Sequence, residues 1–370
     1  MKIVFVSTGD PIFDVYTHGG GIQYQISGFS KELVKLGHEI YILKRSDGLE
    51  KKEINGINLI GVKTHLRDQM LTRLIFSRNV IEKIKEIKPD VINLSERFSA
   101  YFPSKLDVPK VFFTHNSDAF SFYKKFAVEY NKFNYFFFDI KKRIEEDVMR
   151  RSARVVALNK GIQDYLHKRG ITNTAIIPNC VDITKYQNES YSKYIMYVGR
   201  LDKVKGLDYL IKAFYELKDV YQHDLVLIGS GPDEGRLRKM VASMNIENRI
   251  KFIPWLDNMK LREYYSKCSV FVLPSLFETF GVVLLEAMAS AKPVIASDVM
   301  GPRNIVTHGK NGFLFKKGNT QGLKKYLEVL LNDVKLRNRI GENARKTVEE
   351  NYSFNKISGE LLSLYEQLTP

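Results

Sequence analysis

Two glutamates with seven residues between them, Glu278 and Glu286, stand in the run Pro274-Ser275-Leu276-Phe277-Glu278-Thr279-Phe280-Gly281-Val282-Val283-Leu284-Leu285-Glu286-Ala287-Met288-Ala289. The apolar residues up to Leu273 read as a buried strand, the residues around Glu278 as a loop, and the segment from about Gly281 as a helix. Amides at a helix start have no partner inside the helix and point along a favourable dipole, so they suit a phosphate. Carboxylates placed just before that start and about two turns inside it can accept hydrogen bonds from hydroxyl-rich ligands. Each has a plainer explanation. Glu278 could offset the helix dipole, and Glu286 could be an exposed helix position. Against the second stands the apolar run around Glu286, where an unpaired charge would be costly.

A second group lies in Val198-Gly199-Arg200-Leu201-Asp202-Lys203-Val204-Lys205-Gly206. Arg200 and Lys205 follow a strand and precede a helix, which is where a diphosphate would sit. Arginine offers a planar fork and lysine a compact charge, a combination suited to a departing diphosphate. Basic loops are common, however. A third group, Gly229-Ser230-Gly231-Pro232-Asp233-Glu234-Gly235, also links a strand to a helix. Its glycines are spaced GxGxxxG rather than GxGxxG, and no dinucleotide fingerprint follows Ile3–Ser7, which counts against a nicotinamide enzyme. The chain has no Walker A, HExxH or GxSxG sequence and no Asp-x-Asp pair.

These loops need strands and helices to hold them. Ile3–Ser7, Glu39–Leu43, Asn58–Val62, Val91–Leu94, Lys110–Thr114 and Arg154–Leu158 read as strands. They alternate with helices over Ile22–Leu36, which Gly37 caps, and Val80–Ile87, which stops before Pro89. The alternation restarts after the turn-rich Pro178-Asn179-Cys180-Val181-Asp182. Strands are expected at Tyr194–Val198, Asp224–Ile228, Ile250–Phe252, Val270–Leu273, Val294–Ala296 and Gly312–Phe315, and helices at Leu207–Leu217, Glu234–Met244, Gly281–Ala289, Leu323–Leu331 and Phe354–Leu368. Such βα alternation predicts mostly parallel sheets covered by helices. The expected fold class is therefore α/β, with two Rossmann-like doubly wound domains. Ligands in such sheets bind beyond the carboxyl ends of the strands, so a cleft between two facing domains is the expected site.

The 370 residues, 44% hydrophobic and 27% charged, are ordinary for a soluble globular protein. Cys180 and Cys268 have no CxxC partner or nearby histidines and are expected to be reduced thiols in the cytoplasm. No apolar stretch approaches the ~20 residues of a spanning helix, and the first strand is expected to begin the chain without a leader. The net charge of +15 is spread along the sequence, with 29 Lys and Arg against 20 Asp and Glu up to Pro178. A basic surface suits anionic partners, or serves solubility alone.

The residues above resemble the signature of the family 4 (group 1) retaining glycosyltransferases of GT-B fold. The likeness rests on Arg200 and Lys205 with the Glu278/Glu286 pair, and on Gly20-Gly21 before a helix, Gly37-His38-Glu39, Thr114-His115, Pro178-Asn179-Cys180-Val181-Asp182, Gly229-Ser230-Gly231-Pro232 and Lys292-Pro293-Val294-Ile295-Ala296-Ser297. The resemblance implies an N-terminal acceptor-binding domain over 1–178 and a nucleotide-sugar-binding domain over 179–352. A final helix over 353–370 would cross back onto the first domain. It implies that Arg200 and Lys205 bind the diphosphate, Glu278 the donor sugar and Glu286 the ribose. Gly20 and Gly21 would let backbone approach the phosphate. His115 would lie beside the sugar, unless it is a satisfied polar residue at a strand end. Gly199, Gly229, Gly231 and the segment Thr279, Phe280, Gly281, Val282 and Val283 would complete the nucleotide-sugar site. The donor would be a UDP-, GDP- or ADP-sugar and the acceptor hydroxyl that of a glycan, a lipid-linked molecule or a small molecule, with no metal or other cofactor required.

The chain departs from the family pattern at Thr279, Cys180 and Ala291, where small residues or glycine are usual, and at Met300-Gly301-Pro302. Thr279 leaves the donor sugar open. Two alternatives share the fold or the charge: a sugar-nucleotide epimerase, and a non-catalytic nucleotide- or nucleic-acid-binding protein. The latter leaves the glutamate pair unexplained, and no nucleic-acid partner is expected. Two basic, aromatic or amphipathic stretches, Phe120–Arg143 and His65–Arg78, suggest contact with an anionic membrane surface on the cytoplasmic side. They could equally pack on the first sheet with their cations extended to solvent.

Overall fold

A computed structural model describes residues 1–9, 21–48, 50–64, 69–114, 133–189 and 191–369. The chain forms two compact units, Met1–Asn179 with Phe354–Pro370, and Cys180–Ser353.

The first unit is built on β1 (Lys2–Val6), β2 (Glu39–Ser46), β3 (Lys51–Ile54), β4 (Ile57–Lys63), β5 (Val91–Leu94), β6 (Lys110–Phe113), β7 (Arg154–Ala157) and β8 (Thr174–Ile176). Their order in the sheet is β3-β4-β2-β1-β5-β6-β7-β8. All pairings are parallel except β3 with β4. Strands such as β5 and β6 are buried along their whole length because helices cover both faces of a parallel sheet. The sequence pattern missed β3. Its residues Lys-Lys-Glu-Ile are largely exposed at the sheet edge, where charge discourages further strand pairing.

The helices of this unit are α1 (Gly21–Lys35), α2 (Gln69–Ile87), α3 (Arg97–Ala100), α4 (Phe133–Arg151) and α5 (Lys160–His167). Phe354, from the end of the chain, fills a notch on α1. A Cβ at Gly28 would lie 2.0 Å from the Phe354 ring, which also meets Tyr24 and Phe29 edge-on at 5.4 and 5.7 Å. Farther along the same terminal helix, buried Tyr365 accepts a hydrogen bond from Asn93 Nδ2 at 2.6 Å.

The second unit carries β9 (Tyr194–Val198), β10 (Asp224–Ile228), β11 (Ile250–Ile253), β12 (Val270–Leu273), β13 (Val294–Ser297) and β14 (Phe313–Phe315). They run parallel in the order β11-β10-β9-β12-β13-β14. This is the doubly wound order in which chain direction across the sheet reverses between the first and fourth strands, here β9 and β12. The corresponding reversal in the first unit lies between β1 and β5. The helices of the second unit are α6 (Leu207–Tyr215), α7 (Glu234–Ser243), α8 (Asn258–Lys267), α9 (Val282–Ala289), α10 (Met300–Ile305), α11 (Thr320–Asn332) and α12 (Val334–Asn351). The terminal helix α13 (Phe354–Glu366) belongs to the first unit.

Candidate active site

The reversal point of the second sheet brings together the two loops that the sequence singles out. Arg200 and Lys205 follow β9, and Glu278 follows β12. The loops touch through their backbones: Leu276 N–H donates to the Val204 carbonyl at 2.8 Å. Gly206, at φ 63° and ψ 30°, lets the first loop turn into α6, and a Cβ there would lie 2.4 Å from the Pro274 carbonyl oxygen. Only glycine takes this conformation at that distance.

Lys205 Nζ donates to Glu278 Oε2 at 2.7 Å, with both side chains largely buried. The lysine ends a short 3₁₀ turn, Lys203–Lys205, which Asp202 caps by accepting from Val204 N–H at 3.1 Å. Asp202 also accepts from Arg200 Nε at 2.7 Å, so one buried carboxylate shapes the turn and aims the guanidinium. Arg200 itself is 54% exposed. The Arg200 carbonyl accepts from the Tyr197 hydroxyl at 3.0 Å. Gly301 N–H donates to the Glu278 carbonyl at 2.9 Å, and a Cβ at Gly301 would lie 2.5 Å from the Phe280 carbonyl oxygen. Asp202, Tyr197 and Gly301 thus support the loops that carry Arg200, Lys205 and Glu278, although the sequence pattern assigns none of the three a role.

Helix α9 starts at Val282, because Gly281 is left-handed at φ 97°. Glu286 therefore lies about one turn inside the helix rather than two. It is buried, not an exposed helix residue, and accepts a hydrogen bond from the Tyr265 hydroxyl of α8 at 2.8 Å. Tyr265 escaped notice because α8 is otherwise polar and shows no apolar face. Its donor explains how a carboxylate is tolerated among Leu284, Leu285 and Met288. The Tyr265→Phe protein should lose about 1–3 kcal/mol of unfolding free energy, seen as a lower urea midpoint with an unchanged slope. An unchanged midpoint would mean that the hydroxyl contributes nothing there.

Gly199, Gly229 and Gly231 form a stacked backbone crossing beside the basic loop. Gly199 N–H donates to Ile228 O at 3.0 Å and Leu201 N–H to Ser230 O at 3.0 Å. A Cβ at Gly231 would lie 2.2 Å from Leu201 O. Trp255, 44% exposed, borders Gly229. Thr279, Phe280, Gly281, Val282 and Val283 run from Glu278 into α9, with Phe280 buried against Tyr352. Lys292 lies apart from this group: it is fully buried, donates to Asn188 Oδ1 at 2.9 Å and Glu189 O at 3.0 Å, and burial pulls its pKa down to about 8. Ala291 adopts φ 54°, so the alanine there holds a conformation that a glycine takes without strain.

Gly20 and His115 lie outside the described residues. Gly21 is the exposed first residue of α1, and a Cβ there would meet no described atom. Most of Phe120–Arg143 and Arg67 also lie outside the described residues. In α2, Leu71, Ile75 and Arg78 are exposed, whereas Arg73 lines a cavity. Cys180 and Cys268 are both buried, and burial pushes the Cys268 pKa up to about 12. Among the described residues no helix is long and apolar enough to cross a membrane, and no cluster of three or more His, Cys, Asp or Glu residues could hold a metal ion.

Two Rossmann-ordered units, with the final helix returning to the first, define an α/β architecture of the GT-B class. Within it, this chain belongs to the group 1, family 4 glycosyltransferases: the model for glycosyl transferases group 1 matches residues 182–347 and that for glycosyltransferase family 4 matches residues 19–185. An uncharacterized glycosyltransferase of Methanocaldococcus jannaschii is 27% identical over 94% of both chains. The N-acetyl-alpha-D-glucosaminyl L-malate synthase of Bacillus anthracis is 28% identical over 61% of this chain and 59% of its own. Among solved structures, sucrose-phosphate synthase from Thermosynechococcus elongatus superposes with a TM-score of 0.86 at 21% identity, covering 99% of this chain and 98% of that one. HepE from Anabaena, in complex with UDP and glucose, superposes with a TM-score of 0.78 at 19% identity, covering 99% and 100%.

Proposed function

We propose that this glycosyltransferase takes its sugar from a nucleoside diphosphate sugar bound by the second unit and transfers it with retention to an acceptor hydroxyl. The observation that carries the proposal is the Lys205–Glu278 pair at the sheet's reversal point, with Arg200 exposed beside it. Lys205 and Arg200 stabilise the departing diphosphate, joined by the first amides of α9. Glu278 holds hydroxyls of the donor sugar, and Glu286 the ribose. The bond from the anomeric carbon to the diphosphate oxygen breaks, and its electron pair leaves with the diphosphate. The acceptor oxygen bonds to the same face of that carbon, and its proton passes to the departing oxygen. The reaction needs no metal, because the cations and amides supply the charge stabilisation.

The structural neighbour solved with UDP and glucose makes UDP the first probe, with GDP and ADP beside it. Calorimetry should find one of the three binding to the full chain. Glu286→Gln should weaken the free nucleoside diphosphate, whereas Glu278→Gln should weaken mainly the sugar-bearing donor. Equal losses in all titrations would refute this division of labour, and the absence of binding by any of the three would refute the site. The anomeric proton coupling of the product reports retention or inversion directly. Reversible docking on an anionic bilayer, through Leu71, Ile75 and Arg78 on one side of α2, is part of the proposal for a lipid-linked acceptor.

A further inference from the structure

Tyr352 reaches the loop that carries Glu278 by two routes. It stands at the end of α12 and is fixed there by its backbone. Its N–H donates to the Val348 carbonyl at 2.8 Å, and its own carbonyl accepts from Val181 N–H at 2.9 Å. By the first route its ring meets Phe280 edge-on, with centroids 6.1 Å apart. Phe280 is buried and lies two residues beyond Glu278, just before the left-handed Gly281. By the second route the Tyr352 hydroxyl donates to the Asn304 carbonyl at 3.0 Å. Burial raises the pKa of that hydroxyl, so it remains a donor at neutral pH. Asn304 lies in the last turn of α10, where carbonyls have no partner within the helix. A helix of six residues that includes Pro302 does not hold itself together and depends on what it packs against. The other end of α10 grips the Glu278 loop. Gly301 N–H donates to the Glu278 carbonyl at 2.9 Å, and a Cβ at Gly301 would lie 2.6 Å from both the Phe280 nitrogen and its Cα. Tyr352 thus braces both sides of one contact, Phe280 directly and Gly301 through α10.

We infer that Tyr352 is a positioning residue of the transfer reaction: it fixes the Glu278 loop against α10 and so sets the affinity for the sugar portion of the donor. The inference rests on the proposed transferase function and adds a residue to it. Tyr352 acts through Glu278, whose carboxylate must be held at a fixed place to accept from sugar hydroxyls. The nucleotide side does not depend on it. Glu286 accepts from the Tyr265 hydroxyl of α8, an anchor independent of Tyr352. Loss of Tyr352 therefore separates the two halves of the donor, whereas a general loss of stability would not.

The test uses the full chain. In Tyr352→Leu, amide hydrogen exchange over residues 299–306 should quicken by about tenfold, the scale of losing a hydrogen bond and its packing. Exchange over Tyr194–Val198 should stay that of the parent, because a merely structural loss would quicken both. Calorimetry follows with UDP, GDP and ADP and with their glucose conjugates. Tyr352→Leu should weaken the conjugate by about tenfold and leave the free nucleotide within about twofold. Tyr352→Phe keeps the ring and should restore conjugate affinity to within about threefold of the parent. In a Glu278→Gln background, Tyr352→Leu should add little to the loss, because both changes act through one carboxylate. Should Tyr352→Leu fail to fold, Tyr352→Phe, which removes only the bond to Asn304, should still quicken exchange over 299–306 by about threefold. Unchanged exchange in the variants that fold, equal losses of nucleotide and conjugate, or a loss fully additive with Glu278→Gln would overturn the inference. If no nucleotide or conjugate binds the parent chain, the transferase proposal fails, and exchange over 299–306 still decides whether Tyr352 holds the loop.

Discussion

Turnover in the Arg200→Ala and Lys205→Ala proteins should fall by about 10²–10³-fold each, the scale of removing one donor that stabilises charge in a transition state. The two variants should differ in stability. Arg200 is more than half exposed, and its removal frees Asp202 from one contact without emptying the core, so its unfolding free energy should stay within about 0.5 kcal/mol of the parent. Lys205 is 22% exposed and pairs with a Glu278 that is 14% exposed. Its loss leaves a shielded carboxylate without that partner and should cost about 1–3 kcal/mol. Lys205→Arg should not restore full activity, because a planar fork does not reproduce a compact charge beside Glu278. Steady-state turnover together with denaturant melts on all three proteins checks these expectations. Near-normal turnover in both alanine variants would remove Arg200 and Lys205 from the chemistry.

Replacement of Gly229 by alanine should destabilise the second unit by about 2–4 kcal/mol, combining backbone strain with a steric clash. It should also abolish measurable nucleoside diphosphate binding. Gly229 sits at φ 135°, and a Cβ there would lie 2.1 Å from the Gly199 carbonyl oxygen. Gly199 begins the loop that carries Arg200 and Lys205, so relief of the clash must displace that loop. Gly235, six residues on, provides the control. It lies in α7, and an added Cβ meets nothing within 4 Å. Gly235→Ala should therefore stabilise by about 0.5–1 kcal/mol through helix propensity. Melts on the two variants should move in opposite directions, and calorimetry should show binding lost only in Gly229→Ala. Equal behaviour would show that the close backbone crossing at Gly229 is not what requires glycine.

Much of the architecture was legible because buried parallel strands are continuous apolar runs and their covering helices are amphipathic. Strands at Tyr194–Val198, Asp224–Ile228 and Val270–Leu273 have the expected bounds. Helix α12 was not legible. Its buried stripe is Arg337, Ile340, Gly341, Ala344 and Val348, and an arginine, a glycine and an alanine give that stripe little apolar signal. Gly341 is there for packing, since a Cβ would lie 2.1 Å from Ala291 O.

By itself the sequence determined the α/β class and the turn near residue 180, and it singled out Arg200, Lys205, Glu278 and Glu286 as candidates, because residue type and local spacing carry that information, while their candidate roles came from the family resemblance. Tertiary structure alone decided which loops meet. Lys205 reaches Glu278 across 73 residues, Tyr265 reaches Glu286 across 21, and Phe354 fills the notch at Gly28. It also decided that Arg73, Arg97 and Lys141 line one cavity. Strand periodicity marks which residues are buried but not which strands become neighbours. That order is set by how the helices pack across both faces of each sheet, and it creates the reversal points at which the distant loops converge.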